Sequence, residues 1–112
     1  MEPPIIVIGD ALEIFDSVAA AERYLEVPDI AGLTIYDANG YVINATHERK
    51  HGPLLKCYVV LLQQAMPPRQ NVEHLRKRLL GILEDMEKQE PEDCELPLPL
   101  LIGKARTWCR CD

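Results

Sequence analysis

The pattern in this chain that most resembles a metal site is a pair of histidines four residues apart. His47 and His51 have the i, i+4 spacing that lets two imidazoles bind zinc from one face of a helix. Gly52-Pro53 follows directly and favours a loop. Glu48 also stands in a different place from the glutamate of the zinc-protease pattern. We therefore interpret His47–Pro53 as a solvated loop and predict no metal there.

Cysteine chemistry is the second possibility. The chain has 4 cysteines, which are Cys57, Cys94, Cys109 and Cys111. An even count is typical of a disulfide framework, but we find no signal peptide and expect a cytoplasmic protein with reduced thiols. A Cys-x-Cys pair on a strand cannot close a tetrahedral site alone. We expect free thiols at Cys109 and Cys111, and a mixed site with His47 and His51 stays open.

Enzyme machinery is not evident in the sequence. Ser17, the chain's one serine, is better explained as a helix N-cap than as a nucleophile. No glycine-rich pattern for binding phosphate appears, and no local signature joins a cysteine to a histidine. We predict a protein that is not an enzyme and has no cofactor.

Length and charge narrow the classes of partner. The 112 residues, of which 47% are hydrophobic, indicate a single globular domain over residues 1–112. With 12 basic and 18 acidic residues the net charge is −6, which disfavours nucleic acid and anionic membranes. No apolar run approaches the roughly 20 residues that span a bilayer. The charge suits a basic partner, or serves solubility alone.

Acidic residues are dense at the end of the second predicted helix and in the loop after it. Carboxylates there oppose the helix dipole, which favours cations at a C-terminus. The pattern is typical of a solvated surface, and it is equally compatible with a surface that meets a basic protein. The residues are Glu84, Asp85, Glu87, Glu90, Glu92, Asp93 and Glu95.

The order of elements predicts an α+β fold. Apolar runs at Ile5–Ile8 and Leu12–Phe15 indicate strands, and the longer run at Leu54–Gln63 indicates a central strand. Helices are expected from a cap at Asp16 or Ser17 to about Leu25, and from Asn71 to about Lys88. Their buried stripes would be Val18, Ala21 and Leu25 in the first, and Val72, Leu75, Leu79, Ile82, Leu83 and Met86 in the second.

The carboxyl-terminal segments are predicted to be extended. Alternating prolines in Leu96–Ile102 favour an edge strand or polyproline conformation, and Ala105–Cys111 favours a last short strand. We therefore expect one antiparallel sheet of about four to six strands with two helices packed on one face. Gly81 lowers helix propensity, and we interpret it as a close contact.

A hairpin is predicted between Leu33–Asp37 and Tyr41–Thr46. Asn39-Gly40 is typical of a two-residue type I′ turn, in which both central residues have positive φ. That turn places Tyr36 opposite Ile43, and both would then lie on the core face.

The amino-terminal half resembles a known group of proteins. The sequence IFDSVAAAERYLE at Ile14–Glu26, Pro28-Asp29 and IYDANG at Ile35–Gly40 are similar to small bacterial immunity proteins, the partners of secreted polymorphic toxins. The resemblance covers roughly residues 1–45, and its motifs are structural. It implies a cytosolic protein that binds one cognate toxin and blocks it. It assigns no interface residue.

These observations favour a non-enzymatic inhibitor that occludes the active site of a toxin. A basic nuclease domain is one kind of toxin that the acidic charge would suit. We predict contacts through the acidic residues named above and through Asp37, Asn39 and Tyr41 of the hairpin turn. The alternative is a small-molecule-binding or regulatory domain, in which a homodimer could form through an edge strand such as Leu96–Ile102.

Overall fold

One five-stranded antiparallel sheet organises the chain, in the spatial order β2-β1-β3-β4-β5. This computed structural model describes residues 1–51 and 56–108. The strands are β1 (Ile5–Ile8), β2 (Leu12–Phe15), β3 (Thr34–Tyr36), β4 (Val42–His51) and β5 (Lys56–Gln64). The helices are α1 (Val18–Tyr24), α2 (Val72–Asp85) and α3 (Leu98–Trp108), with 3₁₀ turns at Val27–Gly32 and Pro91–Glu95.

The four side chains of β1 are all buried, and they alternate between the two faces of the sheet. Ile6 and Ile8 lie in the core on the α2 and α3 side. Ile5 and Val7 lie in the core on the α1 side. An apolar run without alternation is what a strand covered on both faces requires.

The fold class is confirmed as α+β, but the helices lie on both faces of the sheet. The two predicted helices were expected on one face, and that expectation is wrong. Ala21 of α1 and Leu25, which directly follows the helix, pack with the second core, whereas Leu75, Leu79 and Leu83 of α2 pack with the first. The apolar residues of β1 on both faces need cover, so each face takes helices.

Both predicted helix caps are present. The Ser17 Oγ accepts from the Ala20 N–H at 3.0 Å, and the Asn71 Oδ1 accepts from the His74 N–H at 3.2 Å. Each satisfies a donor of the first turn that has no partner within the helix. Gly81 makes no close contact, since a Cβ there would meet nothing within 4 Å.

Helix α3 replaces the extended segment and the last strand predicted for the end of the chain. Pro97 precedes the helix and Pro99 lies in its first turn, where backbone N–H groups have no helical acceptor and proline is tolerated. The Pro97 carbonyl accepts from the N–H groups of Leu100 and Leu101, both at 3.0 Å. Leu101, Ile102 and Ala105 are buried with helical spacing. Cys109–Cys111 lies outside the described residues.

The predicted hairpin forms with its register shifted by one residue. Ile35 pairs with Ile43 and Tyr36 pairs with Val42. The loop has three residues, because the Asp37 N–H donates to the Tyr41 carbonyl at 3.0 Å. Gly40 has φ +83° while Asn39 does not have a positive φ, so the turn is not type I′. The shift sends Tyr36 to the α2 face and Ile43 to the α1 face.

The last hairpin is longer than the sequence indicated, and β5 is at the edge of the described sheet rather than in its centre. β4 continues to His51 through most of the predicted loop, of which Gly52 and Pro53 lie outside the described residues. Helix α1 covers Val60 and Leu62, which explains the apolar run of an edge strand. None of the described helices has the length and apolar character needed to cross a membrane.

A glutamate of α1 caps the open edge of β5. The Glu22 Oε2 accepts from the Leu62 backbone N–H at 2.8 Å, and Glu22 is half-buried. The carboxylate gives this edge N–H a charge-assisted hydrogen bond. Without it, the N–H would be an exposed donor to which a strand of another chain could pair.

We predict that Glu22→Ala lowers the free energy of unfolding by about 1–3 kcal/mol, because it leaves a partly buried donor unsatisfied. Glu22→Gln keeps an acceptor and should lose less. The measurement is urea unfolding followed by circular dichroism, with the exposed Glu26→Ala as control. Equal midpoints for Glu22→Ala and Glu26→Ala would contradict the role of the cap.

Candidate partner-binding surface

The hairpin turn uses its carboxylate inside the protein. Asp37 is 2% exposed. Its Oδ1 accepts from the N–H groups of Asn39 at 2.9 Å and Tyr41 at 3.0 Å, and its Oδ2 from Glu2 at 3.3 Å. A carboxylate that satisfies three backbone donors holds the turn closed. Asp37 is therefore left out of the contact surface that we propose.

The other two turn residues lie beside the start of α2. Asn39 is exposed, and its carbonyl accepts from the Gln70 Nε2 at 2.8 Å. Tyr41 is half-buried and bridges to Gln70 in the backbone. Glu84, Asp85 and Glu87 lie at the other end of α2, which has 14 residues. At 1.5 Å per residue they are about 20 Å from the turn residues, so the structure does not bring these two parts of the predicted contact surface together.

Six of the seven predicted acidic residues are exposed, and we call this set of residues the acidic face. After α2 the chain folds back along the helix, because Arg76 donates to the carbonyls of Leu96 at 2.5 Å and Cys94 at 2.9 Å. The second 3₁₀ turn is thereby held beside α2. The acidic face consists of Glu84, Asp85, Glu87, Glu90, Glu92 and Glu95.

Asp93 is the exception, with a structural role. It is 1% exposed, and its carboxylate accepts from the Glu90 N–H at 2.8 Å and from the Lys104 Nζ at 2.7 and 2.9 Å. The backbone hydrogen bond from Glu90, and then Lys104, lower the pKa of Asp93. The bond to Asp93 in turn raises the pKa of Lys104. These bonds attach the second 3₁₀ turn to α3, so Asp93 positions the acidic face without belonging to it.

Glu87 occupies a backbone conformation that favours glycine. Its φ is 57°, the only positive φ of a non-glycine residue among those described. The Glu87 N–H donates to the Glu84 carbonyl at 3.0 Å and the Lys88 N–H donates to the Leu83 carbonyl at 2.7 Å. These two bonds define a Schellman motif, whose left-handed position is usually glycine. The Cβ of a non-glycine residue is unfavourable there for the backbone, and the carboxylate is unfavourable for the helix dipole.

Exposed apolar side chains accompany the acidic face. Met86 is 41% exposed and Trp108, on α3, is 45% exposed. The Lys88 Nζ lies 4.3 Å from the centre of the Trp108 ring, which brings the end of α3 to the end of α2. Met86 was predicted on the buried stripe of α2, and that prediction is wrong because α2 ends at Asp85.

Sequence reasoning missed Trp108 because it predicted extended structure in place of α3. Without that helix, nothing in the sequence related Trp108 to a residue more than a dozen positions earlier. The spacing of Leu101, Ile102 and Ala105 is typical of the buried face of a helix, and it is the feature of the sequence that could have predicted α3.

The histidine and cysteine cluster is not assembled in the described part of the chain. His47 is exposed on β4, where the i, i+4 spacing does not place two side chains as on a helix. The side chain of His51, together with Cys109 and Cys111, lies outside what the structure describes. Residues 1–51 and 56–108 contain no group of three histidine, cysteine or acidic side chains that could hold a metal ion.

Comparison of the chain with protein-family models, with curated proteins and with solved structures finds no match.

The Asp93 bonds predict a loss of stability in acid. The pKa of Asp93 is lowered from its usual 3.8, so the unfolded state binds the proton more tightly. This contribution to the free energy of unfolding is present above pH 3.8 and is lost as the pH falls through the lower, folded-state value.

We therefore expect Asp93→Asn to be less stable than the wild-type protein at neutral pH, with the difference shrinking below pH 3.8. Urea unfolding at a series of pH values measures it, and Glu92→Gln, an exposed neighbour, is the control. A stability difference that does not change with pH would contradict the assignment.

Proposed function

We propose that this protein is a non-enzymatic, cytoplasmic binding protein of the immunity type, which blocks a bacterial toxin by covering its active site with the acidic face. Glu87 is the observation that carries the proposal. Its carboxylate occupies a position where glycine would be more favourable and where the helix dipole favours a cation. Unfavourable local choices of this kind concentrate where a function needs them.

The charge of the acidic face supports a basic partner. Of its six carboxylates, Glu90 has a described ion pair, 3.6 Å from the Lys104 Nζ. The other five take part in no ion pair with another described residue. Unneutralised charges in one region attract an oppositely charged protein and raise its association rate, and salt screens this effect over about 10 Å at 0.1 M.

Trp108 and Met86 supply the apolar contact area that the charged residues do not. Charged residues steer encounter, while well-packed aromatic and methionine side chains near the centre of an interface contribute most of the affinity. Exposed Trp108 lies beside Lys88 at the border of the acidic face. In this proposal Trp108 and Met86 form the apolar centre of the interface, and the carboxylates form its charged rim.

The toxin as partner class rests on the resemblance of the first part of the chain to immunity proteins. We centre the interface on the acidic face rather than on Asn39 and Tyr41, which lie at the opposite end of α2. A homodimer through an edge strand at Leu96–Ile102 is not proposed, because Leu98–Ile102 belongs to α3.

The test is a pull-down from the source bacterium with the wild-type protein as bait, washed at low and then high salt. We compare it with the variant Glu84→Gln, Asp85→Asn, Glu87→Gln, and with a charge-matched control that changes the exposed Glu2, Glu26 and Glu48 to Gln. A basic toxin domain retained by the wild type and the control, and lost by the first variant, is expected. Failure to bind or neutralise the product of any neighbouring toxin gene would contradict the proposal.

Glu87→Gly should separate stability from function. Glycine relieves the left-handed backbone, so we expect the free energy of unfolding to rise by up to about 1 kcal/mol while partner binding weakens. Glu87→Ala removes the carboxylate from the helix C-terminus without relieving the backbone, so it should weaken binding equally and gain less stability than Glu87→Gly does. Tight binding by Glu87→Gly would show that the carboxylate has no role in recognition.

Trp108→Ala should act on dissociation rather than on association. Loss of the indole removes a large apolar contact, and we expect the partner to dissociate about tenfold faster or more, with little change in the salt dependence of association. Surface plasmon resonance with the captured partner measures both rates. Met66→Ala, at an 81% exposed site away from the acidic face in sequence, is the control. Equal dissociation rates for the two variants would exclude Trp108 from the interface.

A further inference from the structure

A cleft separate from the acidic face opens at the end of the sheet where β1 turns into β2. Its volume is about 690 Å³, within the range of small-molecule sites. Ile8 and Gly9 of the sheet end contribute to its floor together with Leu33. Gly9 permits this packing, since a Cβ there would come within 2.7 Å of the Leu33 Cδ2. The cleft therefore has a close-packed base and walls from elements on both faces of the sheet.

One wall of the cleft is built by α2 and presents hydrogen-bond donors. His74 and Arg78 both line it, one helical turn apart on the same face of α2. Arg78 donates to the Gly9 carbonyl at 3.5 Å, a long contact that leaves most of its five N–H donors available. Within the described chain no carboxylate lies within ion-pairing distance of Arg78, although acidic residues line the same cleft.

Tyr36 lies within hydrogen-bonding distance of one ring nitrogen of His74. Tyr36 is 3% exposed, and its hydroxyl oxygen lies 2.6 Å from the His74 Nδ1. A buried phenol needs an acceptor for its proton, and Nδ1 is the partner that the described structure provides. The distance fits either direction, and we assign the Tyr36 hydroxyl as the donor to Nδ1, which places the proton of the neutral imidazole on Nε2. The Nε2–H of His74 is then a donor that can bind a ligand.

The opposite wall comes from α1 and β2 and carries negative charge. Glu13 lines the cleft, with one carboxylate oxygen accepting from the Tyr24 hydroxyl at 3.1 Å. Glu26, which is exposed, lines it as well. Tyr24 and Leu25 add aromatic and aliphatic surface between these carboxylates. Asp10, in the turn between β1 and β2, lines the cleft as a third carboxylate. The cleft thus combines donors from α2, carboxylate acceptors and apolar surface.

We propose that this cleft binds a small zwitterion of amino-acid size with an apolar side chain. Its carboxylate would accept from Arg78 and the His74 Nε2, its ammonium group would lie towards Glu13 and Glu26, and its side chain would pack on Leu33 and Tyr24. The carboxylates of the opposite wall disfavour phosphate and other multiply charged anions, because they add like charge to the site. The inference is independent of the proposed inhibitor function.

The test is a titration of the full chain with phenylalanine and with leucine, followed by ¹H–¹⁵N NMR. Saturable shifts at Ile8–Glu13, His74 and Arg78 by about 10 mM are expected. N-acetylphenylalanine lacks the cation, and phenylalaninamide lacks the anion, so each should bind at least about tenfold more weakly. Inorganic phosphate should not saturate the same shifts.

Matched variants test which side chains bind the amino acid. Arg78→Met keeps the length of the side chain and should weaken phenylalanine binding at least about tenfold, whereas the adjacent, exposed Lys77→Met should bind as the wild type does. Tyr36→Phe tests a positioning residue. It should lower affinity several-fold and, in ¹⁵N spectra of the imidazole, allow the Nδ1-protonated form of His74 to appear.

Three results would each overturn the proposal. They are no saturable shift with either amino acid, equal affinity for phenylalanine and its two blocked derivatives, and equal binding of phosphate. The derivative series uses the wild-type protein, so it decides the question even where Arg78→Met is too unstable to measure.

Discussion

Burial of β1 on both faces is the constraint on which the rest of the structure depends. Its four side chains are at most 5% exposed, and their alternation sends apolar surface to both sides of the sheet. Neither side can be left to water, so the chain must supply a helical layer for each. Helix α1 has only 7 residues, too few to be stable alone, and its existence depends on this packing.

The same constraint fixes the position of the acidic face. Helix α2 is held at its start by the hairpin turn, since the Asn71 N–H donates to the Gly40 carbonyl at 2.9 Å, and along its length by the buried leucines that cover β1. Its other end projects Glu84, Asp85 and Glu87. The bonds of Asp93 and Arg76 then keep the following turn against α2 and α3. A rigid support of this kind lowers the entropy lost when a partner binds.

Local signals in the sequence predicted the elements better than their arrangement. The caps at Ser17 and Asn71 and the buried leucines of α2 were correctly predicted, because short-range hydrogen bonds and periodicity determine them. Helix α3 was missed because its prolines are read as helix breakers unless the first turn is known to begin there. The register of the hairpin depended on a three-residue loop that Asn39-Gly40 does not distinguish from a two-residue one.

The acidic residues of the candidate site were visible in the sequence, but their roles were not. Asp37 and Asp93 have the same chemistry as their exposed neighbours, and only their backbone partners make them structural. The left-handed φ of Glu87 and the approach of Trp108 are consequences of tertiary packing between α2 and α3, which sequence periodicity does not encode.

Cross-linking of the captured complex with a carbodiimide tests the central claim most directly, because the reagent joins carboxylates to lysine amines that are already in contact. The account predicts that the cross-links, identified by mass spectrometry, connect the acidic face to lysines of the partner and disappear at high salt. Cross-links confined to carboxylates elsewhere, such as Glu13, Glu26 or Glu48, would contradict it.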